Sequence, residues 1–265
     1  MRHGAPLPKV LTAGNTLLMA PQSRPLLPAV LLTRPEAQGA RFAVALREAL
    51  GPVRLVTSPL MVPEFLSPPI ALRPEALIFT SETGVEGFRR LAAPGLAGVG
   101  RAWCVGNRTA RAARAAGLDA QSAEGDAEAL IAAIAAAGES GPLLHLRGAE
   151  SRGEVAPRLA AQGLVAEEAV VYDQRPQPLL PEALALLAGG APVLAPLFSP
   201  RTARLLGLEL ARAGVAPQLW VAAMSPAVAE AAGALSPARL RVAARPDAEA
   251  LLDAVKALLD AEADA

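Results

Sequence analysis

The sequence predicts an α/β protein built from two similar domains, each with a parallel sheet, and a cleft between them. Three observations support this fold class. Short continuous apolar runs alternate with segments of helical periodicity, which favours β-α-β units. The second half of the chain repeats the first, and 265 residues suffice for two domains of ordinary size. A cleft between two facing copies of one unit is the usual site for a ligand.

The first half begins with a predicted strand at residues 30–33, whose continuous apolar run is typical of a strand buried on both faces. A helix follows over residues 36–50 and ends at Gly51-Pro52. Residues 54–65 are extended, and their prolines restrict them to a sheet edge or a linker. Strands at 76–81 and 102–106 then alternate with helices at 83–91, 108–116 and 127–137, of which the first is opened by a Thr83–Glu86 capping box and the last is capped by Asp126.

The second half continues the alternation with a strand at residues 143–148 and a helix at 154–162. Residues 165–176 are predicted to form a strand that contains Tyr172, the only tyrosine of the chain, and ends at Arg175-Pro176. That strand is a natural crossing between domains. Further strands are expected at 193–199, 219–225 and 240–244, and further helices at 200–213, 226–235 and 247–259.

The repeat pairs the two halves in a specific order, at nearly equal intervals. Residues 32–35 pair with 145–148, residues 78–81 with 196–199, residues 103–106 with 221–225, and residues 126–130 with 247–251. Two copies of one α/β unit imply two similar domains that face each other.

The composition argues against several classes of function. Hydrophobic residues make up 52% of the chain, yet no uncharged run reaches the roughly 20 apolar residues that a membrane helix needs. The 25 basic and 25 acidic residues balance, so there is no electrostatic footprint for nucleic acid. One cysteine and two histidines offer neither a disulfide nor a metal site. We therefore expect a cytoplasmic protein that binds no nucleic acid, membrane or metal.

Residues 1–28 precede the first predicted strand and are expected to be a disordered extension. Their apolar patch, residues 17–20, is too short for the core of a secretory signal and is followed by prolines. Met19 offers an alternative start of translation.

The strand-to-helix turns contain the candidate binding residues, because the carboxyl edge of an open parallel sheet is where ligands bind. Free N–H groups at each helix start favour an anion there. Ser199 and Ser225 precede prolines, and helix capping alone is an equal interpretation for both. Arg34 and Arg147, at matching strand ends, are candidates for carboxylate recognition, with surface ion pairs as the alternative.

Two further residues are expected in the core. Cys104 lies in an apolar strand and is interpreted as a buried thiol, and His145 is interpreted as a packed strand residue rather than a ligand. The chain has no Walker loop, no Gly-x-Gly-x-x-Gly after a strand and no Gly-x-Ser-x-Gly elbow. Phosphoryl transfer, hydride transfer and hydrolysis are therefore disfavoured.

The chain resembles the uroporphyrinogen-III synthase family, the cyclases of tetrapyrrole biosynthesis. The resemblance depends on the order and spacing of short pieces over residues 29–260. The second-half counterpart of Thr109 is Val228, so a hydroxyl role does not carry over there, and residues 82–84 are assigned no role. The matching pieces are Thr33-Arg34-Pro35, Phe79-Thr80-Ser81, Val105-Gly106-Asn107-Arg108-Thr109-Ala110, Leu146-Arg147-Gly148 with Arg152, Val171-Tyr172, Phe198-Ser199 and Met224-Ser225.

The resemblance implies two flavodoxin-like parallel-sheet domains joined by a two-stranded antiparallel linker, with the active-site cleft between them. Domain 1 would comprise residues 29–54 and 177–265, and domain 2 residues 66–164. Residues 55–65 and 165–176 would be the two linker strands.

The resemblance also implies the activity, which is cyclisation of hydroxymethylbilane to uroporphyrinogen III with loss of water and inversion of ring D. The substrate is a linear tetrapyrrole with eight carboxylate side chains. Tyr172 would donate a proton to the departing hydroxyl, with a half-buried packing tyrosine as the alternative. The implied substrate-binding residues are Arg34, Thr80, Ser81, Gly106, Thr109, Arg147, Gly148, Ser199 and Ser225.

Family members use no cofactor and no metal, and the resemblance implies a monomer in transient contact with hydroxymethylbilane synthase. The competing interpretation is a non-catalytic two-domain clamp for an acidic small molecule, or an inactive cyclase-like paralogue. Isomer analysis of the product distinguishes the two.

Overall fold

The computed structural model describes residues 27–91, 93–151 and 153–263. Most of the predicted N-terminal extension, residues 1–26, therefore lies outside the described residues. None of the helices in the described segments has both the length and the apolar character that a membrane crossing requires.

Most strands and helices of the described chain lie where the sequence predicts them, but the strand Asp119–Ser122 and the helix Pro181–Ala188 were not predicted. Two short 3₁₀ helices, Pro94–Leu96 and Gly233–Leu235, complete the regular structure of these residues. In chain order the elements are β1 (Ala29–Leu32), α1 (Glu36–Leu50), β2 (Leu55–Thr57), β3 (Met61–Phe65), β4 (Ala76–Phe79), α2 (Glu82–Arg90), β5 (Arg101–Cys104), α3 (Asn107–Ala115), β6 (Asp119–Ser122), α4 (Ala127–Ala136), β7 (Leu143–Gly148), α5 (Val155–Ala161), β8 (Ala166–Pro176), α6 (Pro181–Ala188), β9 (Val193–Leu197), α7 (Pro200–Ala213), β10 (Leu219–Ala223), α8 (Pro226–Ala232), β11 (Arg239–Val242) and α9 (Ala248–Ala263).

A five-stranded parallel sheet joins the first and last parts of the chain, with strand order β2-β1-β9-β10-β11. The continuous apolar runs explain its central position, because successive side chains point to opposite faces and both faces are covered. Leu31 packs in the core on the side of α6, α7 and α8, whereas Leu32 packs on the side of α1 and α9.

A six-stranded sheet holds the middle of the chain, with strand order β3-β8-β7-β4-β5-β6. Its strands are parallel except β3, which pairs antiparallel with β8. Separate clusters of buried side chains cover its two faces, one under α2 and α3 and the other under α4 and α5. Cys104 is fully buried here, which confirms its interpretation as a core thiol, and burial raises its pKa to about 12.

The two sheets share one strand order, which confirms the internal repeat. The five-stranded sheet has the flavodoxin-like order 2-1-3-4-5 when its strands are numbered along the chain. The parallel part of the six-stranded sheet has the same order once β7 and β8 are counted first. The equivalent strands are β1 and β7, β9 and β4, and β10 and β5, which are the pairs that the sequence repeat predicts.

The predicted linker segments contain strands of both sheets. Residues 55–57 form β2 in the five-stranded sheet, and residues 61–65 form β3. Strand β8 pairs first with β7 and then, from Tyr172 onwards, with β3. The division of the chain into domains and linkers stays a prediction.

One predicted helix start is wrong. Helix α2 begins at Glu82 and its N-cap is Ser81, whose Oγ accepts a hydrogen bond from the Gly84 N–H at 3.0 Å. Thr83 therefore lies inside the first turn and opens no capping box. Glu86 instead pairs with Arg89 and Arg90 on the same helix.

Candidate functional site

The candidate site lies where each sheet reverses its strand order. In open α/β sheets, ligands bind outside the carboxyl ends of the two strands at such a reversal. In the five-stranded sheet these strands are β1 and β9, which are followed by Arg34 and by Phe198-Ser199. In the six-stranded sheet they are β7, which ends with Arg147-Gly148, and β4, which Thr80-Ser81 follow.

Tyr172 lies at an irregularity of β8. Arg147 pairs with Val170 and Gly148 pairs with Tyr172, so Val171 has no partner of its own on β7. A bulge of this kind bends a strand and turns its side chains. The phenol oxygen of Tyr172 consequently lies 3.0 Å from the Ser81 Oγ, across the end of β7, which separates β8 from β4.

Glycines allow the close approach that places this tyrosine. A Cβ on Gly148 would lie 2.6 Å from the Tyr172 Cζ, and one on Gly87 would lie 2.6 Å from the Val171 Cγ2. A Cβ on Gly84 would lie 2.8 Å from the Leu146 carbonyl oxygen. Helix α2 can therefore lie directly on β7 and β8. Residues 82–84, which were assigned no role from the sequence, form the first turn of α2 and thus support the position of Tyr172.

Tyr172 lines a cavity of about 600 Å³ between elements of the two sheets. This size falls in the range of roughly 300–1,000 Å³ that is usual for small-molecule sites. Arg201 crosses the cavity, because its guanidinium donates to the Gln174 carbonyl oxygen at 3.1 Å and pairs with Glu150 at 2.6 Å. The lining residues are Met61, Ala149, Glu150, Tyr172, Gln174, Ser199, Pro200, Arg201 and Arg204.

Arg201 and Arg204 were not among the predicted site residues, although both follow Ser199, which was. The spacing of three residues between Arg201 and Arg204, which places both on one face of a helix, was the available signal. Both arginines lie in the first turns of α7, after its N-cap Ser199, and line the cavity. The sequence alone does not show that they face the cavity, because its other side is formed by the six-stranded sheet.

A second cavity of about 480 Å³ adjoins the turns after β4 and β5. It brings together four predicted site residues, namely Thr80, Ser81, Gly106 and Thr109. Arg108, which belongs to the same turn, also lines it. Thr109 is largely buried, so its hydroxyl has little access to solvent.

Arg34 is half-buried and has no acidic partner among the described residues. Its guanidinium stacks on the Phe198 ring at 3.8 Å from the centroid and donates to the Gln38 Oε1 at 2.7 Å. Burial, followed by the charges of Arg108 and Arg41, lowers the pKa of Arg34 to about 10. An anion bound here would offset that unfavourable charge.

Arg147 differs from Arg34, although the two occupy matching strand ends. Its guanidinium pairs with Glu168 on β8 and donates to the carbonyl oxygens of Gly148 at 2.8 Å and Ala149 at 3.1 Å. The side chain is 19% exposed. Arg147 therefore already has a carboxylate partner, and its contact with substrate stays a prediction.

His145 is fully buried in β7, as expected for a packed strand residue. Its Nε2 lies 3.1 Å from the Thr80 hydroxyl. Burial lowers its pKa to about 4, with Arg147 acting in the same direction and Glu168 against it. The imidazole is therefore neutral near pH 7 and fixes Thr80.

The two serines that precede proline differ in their contacts. The Ser199 Oγ accepts a hydrogen bond from the Thr202 N–H at 3.1 Å and caps α7. Ser225 precedes α8 and makes no side-chain cap there. Ser199 lines the Tyr172 cavity, whereas Ser225 lines neither of the two cavities described above.

Within residues 27–91, 93–151 and 153–263, no group of three or more His, Cys, Asp or Glu side chains is placed to hold a metal ion. The candidate site instead offers arginines, hydroxyl groups and one phenol. Arg152, which belongs to one of the matching motifs, lies outside the described residues.

The fold and the site define a two-domain α/β protein with an arginine-lined cleft that suits a polyanionic small molecule. A sequence model of the family "Uroporphyrinogen-III synthase HemD" matches residues 41–253. The chain belongs to this family, which confirms the resemblance drawn from the motifs. A comparison with curated protein sequences returned no match.

A solved structure agrees with this assignment in fold. The uroporphyrinogen-III synthetase of Helicobacter pylori 26695 is 16% identical, with a TM-score of 0.58 over 88% of this chain and 100% of that chain. A mutant uroporphyrinogen III synthase from the extremely thermophilic bacterium Thermus thermophilus is 17% identical, with a TM-score of 0.45 over 88% of this chain and 99% of that chain.

Proposed function

We propose that this protein is a uroporphyrinogen-III synthase, which cyclises hydroxymethylbilane with loss of water and inversion of ring D. The observation that carries the proposal is the family match over residues 41–253. The arrangement of the site supports it, because a cleft with several arginines suits a substrate with eight carboxylates.

The reaction needs control of geometry more than strong acids or bases. Hydroxymethylbilane also closes without an enzyme, to the isomer in which ring D is not inverted. Holding the two ends of the chain in the productive arrangement can contribute about 7–11 kcal/mol to such a step. The cavity of about 600 Å³ between elements of the two sheets would supply that constraint.

Tyr172 is proposed as the proton donor to the departing hydroxyl. Its phenol is a hydrogen-bond donor, and the Ser81 hydroxyl 3.0 Å away can donate to the phenol oxygen. The Ser81 oxygen in turn accepts from the Gly84 N–H. In this arrangement the Tyr172 proton is free for the substrate. Loss of the hydroxyl gives an azafulvene, which the substituted carbon of ring D attacks before rearrangement through a spiro intermediate.

Arg34, Thr80, Ser81, Gly106, Thr109, Gly148 and Ser199 are proposed as substrate contacts, and Arg147 and Ser225 are retained as more distant candidates. We propose further that the protein is a monomer in the cytoplasm and receives its substrate through transient contact with hydroxymethylbilane synthase. The domain boundaries proposed are those given by the resemblance, with residues 55–65 and 165–176 as the linkers.

The experiment that tests the function supplies hydroxymethylbilane to the purified protein. The products are oxidised, and the isomers are separated by chromatography. Dominant isomer III is the expected result. Isomer I alone, at the rate measured without protein, would favour a non-catalytic clamp.

A further inference from the structure

A small cavity beside Arg34 gathers positive charge from both sheets. It measures about 110 Å³, and Arg34, Arg41 and Arg108 line it. Arg34 follows β1 and Arg41 lies on α1, next to the five-stranded sheet, whereas Arg108 lies on α3, next to the six-stranded sheet. The three guanidinium groups therefore meet where the two halves of the molecule adjoin.

The charge of this cluster is only partly compensated within the described residues. Arg41 forms a two-pronged ion pair with Glu82 on α2, with N–O distances of 3.0 and 3.2 Å. The ion pairs of the described residues include neither Arg34 nor Arg108. Of the three guanidinium groups, only that of Arg41 thus has an acidic partner among these residues.

The size of the cavity limits what it can hold. A volume of about 110 Å³ is well below the range of about 300–1,000 Å³ that is usual for whole ligands. A single acidic side arm fits this space, and the larger cavity beside Thr80 and Ser81 shares Gln38 and Arg108 with it. A ligand in the larger cavity could therefore extend one arm to the arginines.

We infer that Arg34, Arg41 and Arg108 form a binding site for one carboxylate arm of the substrate, and that Glu82 occupies Arg41 until this arm displaces it. The inference rests on the proposed function. A carboxylate held by these three residues would join the two halves of the protein, because Arg108 belongs to one half and the other two arginines belong to the other.

The test measures binding of uroporphyrin III, the oxidised octacarboxylate form of the expected product, by fluorescence titration at fixed ionic strength. Arg41→Ala and Arg108→Ala should each weaken binding roughly tenfold, since each removes a charge-assisted contact. Glu82→Gln should tighten binding severalfold, because it removes the competing carboxylate.

Two matched variants control for net charge. Arg89→Ala removes one positive charge and Glu86→Gln one negative charge on the same helix as Glu82, and neither residue lines the small cavity. Both should bind within twofold of the parent protein. Arg41 and Arg108 are exposed, so their replacement should leave the thermal unfolding temperature nearly unchanged.

The inference is overturned if Arg41→Ala and Arg108→Ala bind uroporphyrin III as tightly as Arg89→Ala does, or if the parent protein does not bind it. Isomer analysis separates this failure from failure of the proposed function. Dominant isomer III with unaltered binding in the arginine variants rejects the carboxylate site alone. Isomer I alone with weakened binding rejects the cyclase and retains the carboxylate site.

Discussion

The phenol oxygen of Tyr172 lies 3.0 Å from the Ser81 hydroxyl, although the two residues are 91 positions apart. The Ser81 oxygen also accepts the Gly84 N–H at 3.0 Å, so the contact is tied to the first turn of α2. A tyrosine held in this way keeps one orientation of its phenol.

Replacement of Tyr172 by Phe should lower the rate of isomer III formation about 10²- to 10⁴-fold, the range expected for loss of a general acid. The ring can still pack over Gly148, so the thermal unfolding temperature should change little. The two isomers are quantified by chromatography after oxidation. If Tyr172→Phe forms isomer III at the parent rate and with the parent isomer ratio, Tyr172 has a packing role only.

Replacement of Ser81 by Ala should lower both stability and rate. Loss of the cap of α2 should cost about 1 kcal/mol of unfolding free energy. Loss of the phenol's partner should slow isomer III formation about fivefold, because one hydrogen bond contributes about 1 kcal/mol. Asp126→Ala, which removes the cap of α4, is the matched control. If both variants lose stability equally and neither slows the reaction, Ser81 only caps its helix.

Replacement of Gly148 by Ala should displace the Tyr172 ring, because the new Cβ would lie 2.6 Å from the Tyr172 Cζ. We expect a loss of about 1–3 kcal/mol of unfolding free energy and a large loss of rate. Gly100→Ala, whose Cβ would meet nothing within 4 Å, should be nearly neutral. In a Tyr172→Ala background the cost of Gly148→Ala should shrink. If Gly148→Ala loses as much unfolding free energy in that background as in the parent protein, the new Cβ clashes with a residue other than Tyr172.

Arg34 and Arg147 should respond differently to replacement by Ala. Arg34→Ala should raise KM about tenfold and increase the proportion of isomer I, since Arg34 is free to bind a carboxylate. Arg147→Ala should cost about 1 kcal/mol of unfolding free energy, because Glu168 would lose its partner. Steady-state kinetics and thermal unfolding measure the two effects. Identical effects of the two substitutions would contradict this distinction.

The free energy of unfolding should fall as the pH drops from about 6.5 to about 4, and His145 should cause part of this fall. Its pKa is about 4 in the folded protein, and the ordinary value is 6.5. As the pH falls, His145 is protonated in the unfolded chain before it is protonated in the folded protein, and this favours the unfolded chain. The contribution of neutral His145 to stability is therefore complete above pH 6.5 and is lost as the pH falls to the folded pKa. The loss should approach roughly 3 kcal/mol.

Denaturant unfolding of the parent and of His145→Gln over this pH range measures that effect. The carboxylates that also titrate are common to both proteins and cancel in the difference. A difference that stays constant from pH 7 to pH 4 would show that His145 titrates normally.

The sequence was sufficient to predict most of the strands, because continuous apolar runs have few alternatives in an α/β chain. Residues 78, 103 and 221 all fall on buried strands in this way. Strand β6 was missed, because three of its four residues are polar. The repeat even predicted which strands are equivalent. Helix starts were harder, because Ser81 and Thr83 are both good caps, and only the position of Gly84 against Leu146 favours the first.

The side-chain partners of the site could not be predicted in the same way. Arg34 and Arg147 are equivalent in the repeat, yet only Arg147 meets a carboxylate among the described residues. Its partner Glu168 lies on β8, and the register that pairs β7 with β8 is a long-range property. The contact between Ser81 and Tyr172 likewise depends on the bulge at Val171, which no local pattern indicates.

The shared strand order has a consequence for how the protein is synthesised. Strand β1 lies between β2 and β9 in its sheet, so one of its edges has no partner until residues 193–197 have left the ribosome. The six-stranded sheet needs nothing beyond residue 176 and can close earlier. During translation, Leu31 and Leu32 therefore still lack part of their packing when all strands of the six-stranded sheet have been made.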